Sequence, residues 1–247
     1  GGAGMMLERD RQPEWMDDPG IERDEHLRAL AGLARLNQYS GIGPAMYRHL
    51  RRLARNRPDR SLRVLDVASG AGDVPIYWAR QARKDGCRLD LTLTDIREVA
   101  VEEQQRRADA AGVEVTSIVH DCLSTALPTG FDVVTSSLFF HHLEDHQVFC
   151  LLQSMQAATE GAILLSDLSR SRTNMVLVNF AASMLSRSPI VHHDAAASVR
   201  AAFTAEEFKR IAEDALARPV RVKTSFPCRF IAVLEEVVVA EAVPAFA

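Results

Sequence analysis

Along residues 22–36 the apolar positions Leu27, Leu30, Ala31, Leu33, Ala34 and Leu36 recur at helical spacing, which predicts a helix. Tyr39-Ser40-Gly41-Ile42-Gly43-Pro44 breaks that pattern, and a second helix is expected from about Ala45 to Arg57, ended by Pro58. From there short β-branched runs alternate with helical stretches. Strands are expected over Leu62–Ala68, Leu89–Thr94, Val113–Val119, Phe131–Ser136 and Ala162–Ser166. Between them lie helices running to about Lys84, over Glu98–Ala111 and from about Asp145 to Ala158. Thr204-Ala205-Glu206-Glu207 reads as a capping box opening a helix to about Ala217. Val220–Ser225 and Phe230–Val239 then predict a hairpin turned at Pro227-Cys228.

Five alternations of strand and helix imply an α/β, doubly wound, mostly parallel sheet with helices on both faces. The closing hairpin brings the expected count to seven strands, with an antiparallel edge. The expected organisation is an N-terminal helical cap over residues 1–57 and a sheet domain over 58–247, with a helical lid inserted at about 170–203. Gly1-Gly2-Ala3-Gly4 ahead of Met5-Met6 reads as an artificial leader and is left out of this reasoning.

Composition narrows the function classes only modestly. Hydrophobic residues make up 47% and charged residues 25% of the chain, ordinary for a globular protein. A formal net charge of −4 supplies no global field to draw in nucleic acid. No apolar run reaches the ~18–20 residues that span a bilayer, and the acidic and basic residues of 5–28 leave no room for a signal peptide. Cys87, Cys122, Cys150 and Cys228 have neither disulfide nor zinc spacing, so free thiols in a reducing cytoplasm are expected.

The chemistry begins at Val64-Leu65-Asp66-Val67-Ala68-Ser69-Gly70-Ala71-Gly72-Asp73, a strand entering a glycine-rich turn and then a helix. Such a turn brings a ligand close to backbone and presents helix N-terminal amides. A dinucleotide fold would place a third glycine where Pro75 stands, which speaks against a nicotinamide oxidoreductase. With Asp66 four residues ahead of Gly70-Ala71-Gly72, the segment resembles the first motif of the class I S-adenosylmethionine (SAM)-dependent methyltransferases. The resemblance covers nearly all of residues 60–239, closing hairpin included.

It implies SAM as cofactor, with Asp66, Ala68, Ser69, Gly70 and Gly72 around its methionyl part. Asp95 and Ile96, after the second strand, would take the ribose; Asp95 also fits a helix N-cap. Asp121 and Cys122 would meet the adenine, with a plain turn as the alternative for Asp121. Ser137, at the end of the fourth strand, would sit beside the reactive methyl. The following Phe139-Phe140-His141-His142 resembles the small-molecule branch, which includes the ubiquinone and menaquinone methyltransferases.

A phenol or alcohol acceptor must lose its proton, and histidine suits that near neutral pH. The candidate bases are His141 and His142 after the fourth strand, and His192 and His193, the latter followed by Asp194. His142 and His146 could share a helix face as metal ligands, but Glu144-Asp145 fits better as an acidic first helical turn, and no metal is expected. The stretch Met175–Leu185 is too apolar for an exposed helix; it reads as packing on the first two helices, as a homodimer contact, or as a lid over an apolar or aromatic acceptor. Arg48, Arg51, Arg52 and Arg55 share one helix side, a phosphate-stripe pattern that otherwise reads as a solvated face.

The expected function is therefore SAM-dependent O-methylation of a small aromatic or polyketide-like acceptor with a histidine base. C-methylation of a quinone-type ring is the alternative, and RNA methylation or non-catalytic SAM binding are further ones.

Overall fold

The computed structural model describes residues 8–18, 20–39, 41–225 and 229–235. Its sheet has the strand order β3-β2-β1-β4-β5-β7-β6, formed by β1 (Leu62–Asp66), β2 (Leu89–Asp95), β3 (Thr116–Val119), β4 (Phe131–Ser137), β5 (Thr159–Leu168), β6 (Arg221–Ser225) and β7 (Arg229–Glu235). The first five pair in parallel, while β7 lies antiparallel between β5 and β6. The order reverses between β1 and β4, so a crevice opens beyond the carboxyl ends of those strands.

Each face of the sheet is covered because both faces are apolar. On one side α2 (Ile42–Arg55) and α3 (Asp73–Asp85) bury Met46, Leu50 and Trp78 against Val64, Leu91 and Val133. The Trp78 indole donates to the Gly43 carbonyl at 3.1 Å, tying the two helices at a buried point. Gly43-Pro44 thus opens α2 rather than separating helices, since proline is tolerated in a first turn. On the other side α5 (Asp145–Ala158) and α8 (Ala205–Leu216) pack Leu151, Leu152, Met155 and Phe208 on Leu65, Val134 and Phe230. The capping box at Thr204 is present, and Glu144 forms a second one with Gln147. Between β2 and β3 runs α4 (Glu98–Ala111).

Three helices stand over the crevice. Of these, α1 (Arg23–Tyr39) meets α6 (Arg172–Leu185) and α7 (Pro189–Ala201), which also pack on each other. Boundaries move by a few residues where pairing, not propensity, sets the end: β3 starts at Thr116 because Thr92 of β2 is its first partner. The expected turn at Pro227-Cys228 and the end of the last strand, 236–239, lie outside the described residues.

Two packing details carry stability. Asp132, buried at the start of β4, accepts a two-pronged bond from Arg60 at 2.6 and 2.6 Å and the Arg63 amide at 2.8 Å. Those hydrogen bonds from Arg60 hold its carboxyl down at about 2, against the opposing effect of burial. Gly161 lies where a Cβ would stand 2.2 Å from the Asp132 carbonyl oxygen, at the register irregularity between β4 and β5. Gly161→Ala is accordingly expected to cost about 2–4 kcal/mol, because backbone must move to relieve the overlap, and urea unfolding would measure it.

Candidate functional site

The cavity at the carboxyl ends of β1, β2 and β4 has a volume of about 990 Å³. Its floor is the loop after β1. There Ser69 donates its amide to the Thr94 carbonyl at 2.8 Å, and the buried Gln104 side chain donates to the Gly70 carbonyl at 2.7 Å. Gly70 has φ +54° and an added Cβ there would meet nothing within 4 Å, so bare backbone faces open space. Ala68 (φ 55°) and Leu138 (φ 56°) also adopt the left-handed region, unusual for residues with side chains. Both line the cavity, and such strain collects where a ligand site dictates the backbone.

Asp95 is held on the cavity wall by two amides, Gly70 N–H to Oδ2 at 2.9 Å and Arg97 N–H to Oδ1 at 3.0 Å. The expected helix N-cap is not formed, since Arg97 takes that position at the start of α4; Asp95 instead closes the turn after β2 while lining the cavity. Asp121 accepts from the Leu123 and Ser124 amides at 3.0 and 3.3 Å and from the Ser124 hydroxyl at 2.6 Å. Those bonds, the Ser124 hydroxyl's above all, lower its pKa. Burial pushes the neighbouring Cys122 thiol up to about 12, which leaves it a wall residue and not a nucleophile. Ile96 and Leu123 are 60% and 45% exposed and both line this end of the cavity. Two accessible apolar side chains beside a fixed carboxylate suit a flat ring next to a ribose.

Eight of the ten residues expected around the cofactor line the cavity: Ala68, Ser69, Gly70, Asp95, Ile96, Asp121, Cys122 and Ser137. Asp66 and Gly72 stand behind it. Asp66 is buried beneath the loop, where Oδ1 accepts the Thr135 hydroxyl at 2.6 Å and Oδ2 has no hydrogen-bond partner. Burial raises its pKa to about 7, with the Thr135 bond opposing. Gly72 (φ +77°) packs close against the Leu93, Gln104 and Ile76 side chains, 3.0–3.3 Å from where a Cβ would stand.

The four candidate histidines separate cleanly. His141 is buried, its Nδ1 2.7 Å from Asp167 Oδ1 and its amide donating to Asp167 Oδ2 at 2.9 Å. Burial alone would lower its pKa, but Asp167 and Glu14 outweigh that and raise it to about 10. His141 is thus an imidazolium at neutral pH and has no free site to take a proton. His142 shares the cavity wall, with its ring 4.2 Å from that of His141 and its side chain 25% exposed. His192 instead pairs with the Ser186 carbonyl at 2.6 Å. His193 stacks on Trp15 at 4.1 Å and lies 2.9 Å from Asp194, and neither of these two lines the cavity.

Glu14 is the residue that the sequence patterns passed over. Its Oε1 lies 3.7 Å from His141 Nε2 and its Oε2 3.8 Å from His142 Nε2, and it also accepts the Ser198 hydroxyl of α7. Burial works against its charge, yet the two imidazoles and Ser198 prevail and lower its pKa to about 2. A strap formed by residues 8–18 carries it there. Arg9 donates to the Ala201 and Leu143 carbonyls at 2.7 and 2.6 Å and stacks on Phe203, while Asp194 accepts the Trp15 and Met16 amides at 2.8 and 3.0 Å. No periodicity marks such a segment; the one available hint is an acid, Glu14, among apolar Trp15 and Met16.

Glu14, His141 and His142 also form a group, among the described residues, with the proximity to hold a metal ion. The His142–His146 pairing considered from spacing is not formed, since His146 is exposed and sits 3.4 Å from Glu144. Of the basic stripe on α2, Arg51 pairs with Asp85 and Arg52 with Glu235.

Residues 64–161 match a family model described as a methyltransferase domain. Among curated proteins, the ubiquinone/menaquinone biosynthesis C-methyltransferases of Rickettsia felis and Rickettsia bellii are 38% and 35% identical over 55 and 54 residues. Each match spans 22% of this chain and only 22% of the relative. Among solved structures, the plantazolicin methyltransferase BpumL with bound S-adenosylhomocysteine (SAH) superposes with a TM-score of 0.59 at 16% identity, covering 90% of this chain and 91% of that one. Magnesium protoporphyrin IX methyltransferase from Synechocystis with bound SAM gives 0.54 at 15%, covering 90% and 88%. The expected Rossmann-like sheet and glycine loop are therefore those of a known architecture: the chain carries a methyltransferase domain on the fold of the class I SAM-dependent methyltransferases.

Proposed function

We propose that this protein transfers the methyl group of SAM to a hydroxyl of a small, largely apolar acceptor, with His142 as the base. The observation that carries the reading is the group Glu14, His141 and His142 on the wall of the cavity that Asp95 and Gly70 also line, with the buried Asp167 behind His141. Bound SAM supplies an electrophilic methyl on a sulfonium. Asp95 would hold the ribose, Ile96 and Leu123 would flank the adenine, and the bare backbone of Gly70 would admit the methionyl part.

Around the acceptor the protein's work is alignment and proton transfer. As the acceptor oxygen bonds to the methyl carbon and the carbon–sulfur bond breaks, the hydroxyl proton passes to His142. Glu14, kept ionised, stabilises the imidazolium that results. His141 and Asp167 hold Glu14 and the backbone at 141–142 in place, so the charge forming on His142 meets an electrostatic setting prepared for it. Leu138, Phe139, Leu177, Val178 and Phe180 supply an apolar wall. α6 and α7 act in this reading as the lid, with α1 beside them.

The Rickettsia relatives, named as C-methyltransferases, favour a second reading: the same base could deprotonate a phenolic ring that is then methylated at carbon. Product analysis by mass spectrometry and NMR separates the two. Calorimetric titration tests the cofactor. SAM and SAH should both bind, and Asp95→Ala should weaken them about 10–100-fold, the loss of charge-assisted bonds worth roughly 1.5–3 kcal/mol. Retention of full affinity would remove Asp95 from the ribose. Turnover is further expected to survive EDTA, because the Glu14–His141–His142 group is read as proton-handling; loss of activity restored by one divalent cation would overturn that.

A further inference from the structure

The outer face of α6 is unlike the rest of the surface. Nine large hydrophobic side chains are exposed among the described residues, and four of them, Val176, Leu177, Phe180 and Met184, lie on this one helix. Val176, Phe180 and Met184 are 69%, 66% and 69% exposed, and spacings of four place them in one stripe. Isolated exposed apolar residues are ordinary; a stripe of this kind marks a surface that meets something apolar.

Charge indicates what that is. From Leu168 to His193 the chain contains no acidic residue, and Arg172 and Arg187 bracket the stripe. At the C-terminal end of α6 a small hollow of about 370 Å³ gathers Arg28, Arg35 and Arg187 with Ser186 and Ser188, Glu25 being its one acid. Arg35 is anchored there through its bond to the Leu185 carbonyl at 2.8 Å. An apolar stripe with cations at its ends is the pattern of a helix lying in the headgroup region of an anionic bilayer. A twofold pairing of two copies through this stripe, with the helices antiparallel, would instead bring Arg172 of one against Arg187 of the other.

We propose that α6 seats this protein on an anionic membrane surface. No described helix is long and apolar enough to cross a membrane, so the contact is peripheral. Leu177 and Phe180 also line the main cavity, which places the cavity wall at the same surface. Resting on the methyltransferase reading above, this identifies the acceptor class as an amphiphile whose apolar part partitions into the bilayer and whose hydroxylated head reaches His142.

Vesicle co-sedimentation of the full chain tests the docking independently of turnover. Binding is expected to phosphatidylglycerol/phosphatidylcholine vesicles, to be much weaker to pure phosphatidylcholine, and to fall with added salt. The double variant V176E/M184E, neither residue being part of the cavity wall, is expected to lose at least about tenfold in vesicle affinity while SAM affinity and melting temperature stay unchanged. Absence of wild-type binding to anionic vesicles would overturn the proposal, as would equal binding by the variant. A wild-type dimer that V176E/M184E converts to monomer, with no vesicle binding, would assign the stripe to a second copy. Failure to bind SAM would count against the methyltransferase reading alone and leave the membrane contact standing.

Discussion

His142→Asn is expected to lower turnover by about 10²–10⁴-fold while leaving SAM affinity within about twofold of wild type. The two parts of this expectation come from different walls of one cavity. All of these residues line one cavity, His142 on the wall proposed for the acceptor and Asp95, Ile96 and the Gly70 loop on the wall proposed for the cofactor. Glu14→Gln should reproduce much of the loss, since it removes the charge that faces the imidazolium formed on His142, and it too should leave SAM affinity close to wild type. A variant that merely loosened the fold would lower melting temperature and SAM affinity along with the rate. Full activity in His142→Asn would remove the proposed base.

Asp167→Ala is expected to destabilise the protein by about 3–5 kcal/mol near pH 6, because it leaves the His141 imidazolium buried without its nearest counter-charge. Asp167 also accepts the His141 and Leu168 amides at 2.9 and 2.7 Å, so two backbone donors lose their partner as well. The dependence on pH has a definite sign. His141 is raised to about 10, so its contribution is complete below the unfolded value near 6.5 and fades as the pH climbs through that range. Glu14, lowered to about 2, contributes fully above about 4.5 and loses its share as the pH falls toward 2. Urea unfolding of wild type and Asp167→Asn across that range should therefore show the gap between them narrowing toward alkaline pH. A gap that does not change with pH would mean that His141 is not charged in the folded protein.

Much of this site can be read along the chain because its parts are local. The loop after β1 needs residues that tolerate tight turns within one short segment, and Ser69-Gly70-Ala71-Gly72 advertises that need. Asp95 follows its strand as directly, and in both cases the contacts are made by backbone close in sequence or by the adjacent strand. Asp66 shows what such reading leaves open. Its position matches an acidic motif residue, yet the side chain points under the loop to Thr135, away from the cavity wall. His192 and His193 show the same limit, since a His-His-Asp run looks like a base with its orienter. In the fold Asp194 is committed to the Trp15 and Met16 amides and His193 to the Trp15 ring. Nothing in the run itself distinguishes a pin for the N-terminal strap from catalytic machinery.

The amino-acid pattern by itself determined the doubly wound sheet, the glycine loop, the carboxylate after β2 and the hairpin that ends the sheet. Alternating periodicity and turn chemistry are properties of neighbouring residues, and each is written where it acts. Only the tertiary structure decided which histidines line the cavity and what faces them, because that depends on Glu14, more than a hundred residues away, arriving on a strap that α7 and Phe203 hold down. It likewise decided that the apolar helix α6 has an inner face on the cavity and an outer one in solvent. A charge or an apolar stripe acquires its meaning from what stands opposite it, and long-range packing sets that partner.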